Sequence, residues 1–184
     1  MLVLVSVLAG CAADTESVDA TASSESAAST TRVPRAVDDS GRPQVSFDPC
    51  LDIPDEALVE ADYDPESEDS SVYSPGTHTF LSCSYNTAER RYGLNVMSGN
   101  ITFAEEQERT EDSTPIEIDG HRALRKILPG DQISCAVSIE TDYGILIVSR
   151  VIQRTSTETP PRSQWCDGIE ETASIMARYL PGGE

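Results

Sequence analysis

Positive charge is scarce in this chain. Its 184 residues hold one lysine, Lys126, and 12 arginines against 32 acids, for a net charge of −19. Six acids and three bases precede residue 48, so 26 acids against 10 bases, a charge of −16, belong to residues 48–184. A nucleic-acid reader needs a basic footprint, and this chain has none. The same charge sets the folded part against an anionic membrane surface. Histidine is nearly missing: only His78 and His121 exist, and neither sits in a sequence setting that suggests a tuned base. His121 follows Gly120 at a turn and reads as a surface or partly packed residue. G-x-S-x-G, G-x-G-x-x-G, phosphate-loop and H-E-x-x-H patterns are all absent. Three Phe, one Trp and six Tyr are a thin supply for lining a large pocket once a core is packed. No apolar run approaches the roughly 20 residues of a membrane-spanning helix.

A short apolar run does exist, at residues 2–9, and it stops at Leu8-Ala9-Gly10-Cys11. An apolar core giving way to small residues is the end of a secretory signal. The cysteine at that position resembles a bacterial lipobox, in which Cys11 becomes the mature N-terminus and carries a diacylglycerol. We therefore expect a signal peptide over 1–10 and a lipid anchor on Cys11, with the protein on the extracytoplasmic face of the cell membrane. No Lys or Arg precedes Cys11, which points to a true start upstream of Met1. Residues 11–47 are rich in Ser, Thr, Ala and Asp and too poor in large apolar groups to offset their ordering entropy, so they read as a disordered tether.

With Cys11 acylated, Cys50, Cys83, Cys135 and Cys166 remain, an even number in an oxidising compartment. Three pairings are open, and we favour neighbours along the chain, Cys50–Cys83 and Cys135–Cys166. Zinc is disfavoured, because no two cysteines have the close spacing of a zinc knuckle. The acidic run "DYDPESED" (62–69) lacks the spacing of a calcium loop and contains Pro65, so it reads with its surroundings (62–77) as a solvated loop. The paired acids Glu105-Glu106 and Glu170-Glu171 read as exposed helix faces. Neighbouring carboxylates on a helix diverge by about 100°, which makes them poor acid–base partners.

The folded domain is expected over 48–181, with a short tail at 182–184. A helix is expected at 53–61, with Pro54 near its first turn. Strands are expected at 78–85 and 91–98 as a hairpin, then a short helix at 101–109. A strand pair turns at Asp119-Gly120, and further strands lie at 133–140 and 144–152, the last dense in β-branched residues and central. Cys166, Ile169, Ala173, Met176 and Leu180 form one helical stripe, with Ser163 as the expected N-cap. This is an α+β pattern.

The lipobox, the Ser/Thr-rich tether, "FDPC", "CSY", "IDGHRA", "CAVSI" and "WCDGIEETASIMARYLP" occur here in one order. In that order they resemble an uncharacterised family of actinobacterial cell-envelope lipoproteins with a four-cysteine extracytoplasmic domain. The resemblance covers roughly residues 47–181. It implies a curved antiparallel sheet packed by a short N-terminal and a C-terminal helix, akin to the Mog1/PsbP type, with the same two disulfides. It transfers no catalytic residue, metal or cofactor. The expected role is a non-enzymatic binding or accessory module of the envelope, with a protein or glycan partner. The alternative is a carrier or sensor for a small apolar or envelope-derived ligand.

Overall fold

The structure, a computed structural model, describes residues 33–110, 112–128, 133–153 and 160–182. Cys11, the signal segment and the first part of the tether lie outside them. One antiparallel sheet organises the rest. Its strands are β1 (Asp64–Tyr73), β2 (Phe80–Asn86), β3 (Tyr92–Gly99), β4 (Thr114–Ile118), β5 (His121–Ile127), β6 (Ile133–Thr141) and β7 (Gly144–Ile152). Their order across the sheet is β1-β2-β3-β7-β6-β5-β4, so the sheet is open, with β1 and β4 at its edges. The β-branched run 144–152 is central, as its composition requires. Asp119 and Gly120 both adopt positive φ, the geometry of a tight two-residue hairpin turn.

Alternation along each strand sends side chains to two faces. On the first face, Leu81, Cys83 and Tyr85 of β2 join Leu94 and Val96 of β3, Val137 and Ile139 of β6, and Leu146 and Val148 of β7. Helices α1 (Pro49–Asp52), α2 (Asp55–Glu60) and α4 (Ile169–Ala177) seal this face. Ile169, Ala173 and Met176 of the expected stripe are fully buried there. Burial of a side chain the size of Ile or Met contributes roughly 1.5–3 kcal/mol. Both disulfides staple this layer. Cys50–Cys83 ties α1 to β2 and Cys135–Cys166 ties β6 to the approach of α4, each with Cα atoms 5.2 Å apart.

Four expectations are corrected. The acidic segment 62–77 is not a loop throughout, because Asp64–Tyr73 is the edge strand β1. Most of β1 is exposed on both faces, so no apolar alternation marks it, and β2 supplies the pairing. Its register shifts between Asp64 and Asp69, which accommodates Pro65, a residue with no N–H to donate. The last helix is capped by Gly168 rather than Ser163. Ser163 belongs to a 3-10 turn (Arg162–Gln164), where Trp165 Nε1 donates to the carbonyl of Pro160 at 3.0 Å. Residues 33–47 are held at several points and are not loose throughout: Val45 and Phe47 are buried and the side chains of Arg35, Asp38 and Arg42 pin the segment, while Val33 and Val37 stay exposed. Glu106, finally, is not on an exposed helix face, being 2% exposed in α3 (Phe103–Glu108).

Candidate functional site

The second face of the sheet is only partly covered. α3 lies over one end, where Phe103 packs with Phe80, Leu124, Ala136 and Ile145. A capping box explains why α3 starts where it does: the Thr102 hydroxyl accepts from the Glu105 N–H at 3.1 Å, and the Glu105 carboxylate accepts from the Thr102 N–H at 2.7 Å. The hundred-degree step along the helix then turns Glu105 outward and Glu106 inward.

Beside α3 the face stays open as a cleft of about 900 Å³. Ser84, Asn95, Ser149, Ala136 and Lys126 form one continuous row across β2, β3, β7, β6 and β5, and Asn95, Ser149 and Lys126 of that row line the cleft. The small side chains in that row leave the space that the cleft occupies. Asn95 Nδ2 donates to Ser82 Oγ at 2.7 Å and to Ser84 Oγ at 3.0 Å, which fixes the amide on the floor. Met97, Ile101, Leu128 and Ile147 give the lining its apolar character. Tyr73, His78 and Phe80 wall one end in a chain of ring contacts at 5.8 and 5.3 Å.

A charged pair sits at the bottom. Lys126 Nζ contacts Glu106 Oε1, and both side chains are almost fully buried. Ser138 Oγ donates to the same carboxylate oxygen at 2.8 Å. Burial pushes the Lys126 ammonium down to about 8, and the carboxyl of Glu106 in contact with it acts in the opposite direction by favouring the charged form. Among the described residues, one of the three ammonium N–H groups is used and no hydrogen bond reaches Glu106 Oε2.

At the rim Arg42 makes a two-pronged bond to Glu105, at 2.6 and 2.8 Å, and also donates to the carbonyls of Thr77 and Asn100. The Arg42 guanidinium and the Thr102 N–H hold the Glu105 carboxyl down at about 2. Arg42 belongs to residues 33–47, so a segment whose composition predicts tether contributes to the rim of the cleft.

The sequence-predicted residues fall elsewhere. Cys50, Cys83, Cys135 and Cys166 form the two favoured bridges, on the sealed face. Cys50, Cys83 and the exposed Glu68 converge within 4.8 Å, but both sulfurs are spent in the disulfide and offer no thiolate to a metal. His121 is half-buried at the β4–β5 turn, away from the cleft. His78 does line the cleft, though nothing in its sequence setting marks it. Lys126 carried one signal, its being the only lysine. Glu106 carried none, since a buried acid in "FAEEQE" looks like a solvated one.

Residues 6–178 match the model of a family described as "Protein of unknown function (DUF3558)". No curated protein and no solved structure matches the chain.

Proposed function

The chain belongs to the DUF3558 family, whose description assigns no activity, and from that premise we propose that it is a non-enzymatic binding module of the cell envelope. In this reading Cys11 carries a lipid that anchors the protein on the extracytoplasmic face, and the open-face cleft holds a small ligand. The observation that carries the reading is the cleft itself: about 900 Å³ beside α3, mainly apolar, with a buried ion pair on its floor. Ligand sites favour such concave apolar surfaces with a few converging polar groups. A charge pair buried without a ligand role is weak support for stability, because desolvation offsets much of its Coulombic gain.

The cleft brings the small-ligand reading ahead of a protein or glycan partner. It is roomier than the aromatic supply suggests, since aliphatic side chains and small floor residues shape most of it. Two measurements test the proposal. Cells fed an alkyne fatty acid should label the wild-type chain and not Cys11→Ser; equal labelling would remove the anchor. Organic extracts of protein purified from its own cells should contain a small molecule that Ile147→Glu fails to retain. Identical extracts from both would remove the cleft.

A further inference from the structure

The cleft carries as many cations as carboxylates. Arg42, Arg109 and Lys126 stand against Glu105, Glu106 and Glu108. Four of these pair off in contacts that cancel locally, Lys126–Glu106 on the floor and Arg42–Glu105 at the rim. The chain around them carries −19. An anionic ligand would enter against that field and find no uncompensated cation on the floor. A cationic one would meet no uncompensated acid there either.

The floor pair also states what kind of polar group it accepts. Lys126 Nζ has N–H groups to give, and Glu106 Oε2 has lone pairs to receive. Asn95 uses its NH₂ on Ser82 and Ser84, which leaves its carbonyl oxygen as a second acceptor. A hydroxyl satisfies both sides of the pair, accepting from Lys126 while donating to Glu106. A carboxylate or phosphate ester could only accept, with Glu106 opposing it. Beside these groups runs the apolar surface of Phe80, Met97, Leu128 and Ile147, which wants a hydrocarbon chain.

We infer that the cleft takes an uncharged amphiphile, a hydrocarbon chain joined to a hydroxyl-bearing head, with the head at Lys126 and Glu106 and the chain on the apolar wall. The inference rests on the cleft being the binding site and adds the class of ligand. Charge balance selects the head and the lining selects the chain.

The test is an NMR titration of the full chain carrying Cys11→Ser, with each probe kept below its micelle concentration. The probes are dodecyl maltoside, dodecanoate and maltose. Dodecyl maltoside should shift amides of β3, β5 and β7 around Met97, Lys126 and Ile147 in a saturable way. Dodecanoate should bind at least 10-fold more weakly, and maltose alone should give no saturable shift. Ile147→Glu should weaken dodecyl maltoside at least 10-fold. Glu106→Gln keeps the shape of the floor and leaves Lys126 uncompensated, so it should move the preference toward dodecanoate, an outcome that loss of packing would not produce. Dodecanoate binding as tightly as dodecyl maltoside to the wild type, or dodecyl maltoside failing to bind, overturns the ligand class. Shifts that map outside the cleft, or an Ile147→Glu variant that binds like wild type, overturn the cleft as the site.

Discussion

Arg35 grips Asp48 across 13 residues of chain, with Nε and Nη2 at 2.6 and 2.8 Å from the two carboxylate oxygens. The same Nη2 reaches the Ser82 carbonyl at 3.3 Å, beside the Cys50–Cys83 bridge. The pair closes residues 35–48 into a loop whose far side holds Asp38 and Arg42 against the cleft wall. Asp48 has a second duty, because its carboxylate also accepts from the Cys50 N–H and so caps α1. Asp48→Ala leaves a guanidinium in a mostly buried site and an uncapped helix. It should cost about 3 kcal/mol, the scale of breaking a buried pair. Urea unfolding at pH 7 measures this, and a loss under about 1 kcal/mol would show that the loop is held by other contacts.

Acid should release the far side of that loop first. Asp38 accepts from Ser40, Asn100 and Thr79, which hold its carboxyl well below the usual carboxylate range. Glu105 is lowered to about 2 from an ordinary 4.5 by Arg42 and Thr102. Both folded values are depressed, so their stabilisation is complete above the ordinary carboxylate range and is lost as pH falls toward 2. Protection factors for amides in β1–β2 and the 38–45 segment, with the intrinsic pH dependence of exchange divided out, should therefore be flat from pH 7 to 5 and should fall below about 4.5. Glu105→Gln should already show reduced protection at pH 6, and wild-type protection factors unchanged down to pH 2 would contradict the assignment.

Gly99 faces Phe80 across the β2–β3 pair, and the aromatic ring lies over it so closely that a Cβ would overlap two ring carbons. Gly99→Ala must push Phe80 off its place, at a cost of about 1–3 kcal/mol as for other overpacked sites. Since Phe80 walls one end of the cleft, the variant should also bind dodecyl maltoside more weakly. Thermal unfolding with a parallel titration reads both effects.

The disulfides close loops of similar length, 33 and 31 residues. Their removal should therefore cost similar amounts, about 3–4 kcal/mol each on the loop-entropy account. Paired Cys→Ser variants, one for each bridge, test this by denaturant midpoint. Peptide mapping without reductant should return Cys50 with Cys83 and Cys135 with Cys166, and a Cys50–Cys166 peptide would refute the pairing.

The elements that can be read from the sequence are those whose side chains face two different environments. Tyr92, Leu94 and Val96 alternate because β3 has a sealed face, and the stripe through Ile169 and Met176 repeats because α4 has one buried side. β1 escaped because an edge strand in solvent needs no alternation, and its acids serve to blunt an unpaired edge. Residues 33–47 escaped because polar contacts hold them: Arg35, Asp38 and Arg42 look the same in a solvated linker and in a bidentate pair. The cleft escaped for a further reason. Its floor residues Asn95, Ser149 and Lys126 come from three strands and come together only through strand register. Glu106 and Lys126 are 20 residues apart and on different elements, so no local pattern announces their meeting.

The single lysine also makes the molecule a chemical instrument. Twelve arginines carry all the other basic side-chain charge, so the exterior is blank to reagents that acylate primary side-chain amines. The one ε-amine that remains stands on the cleft floor with little surface of its own. Its acylation, counted on the peptide that carries Lys126 in the presence and absence of a ligand, therefore reports the accessibility of the cleft, with no background from other lysines to subtract.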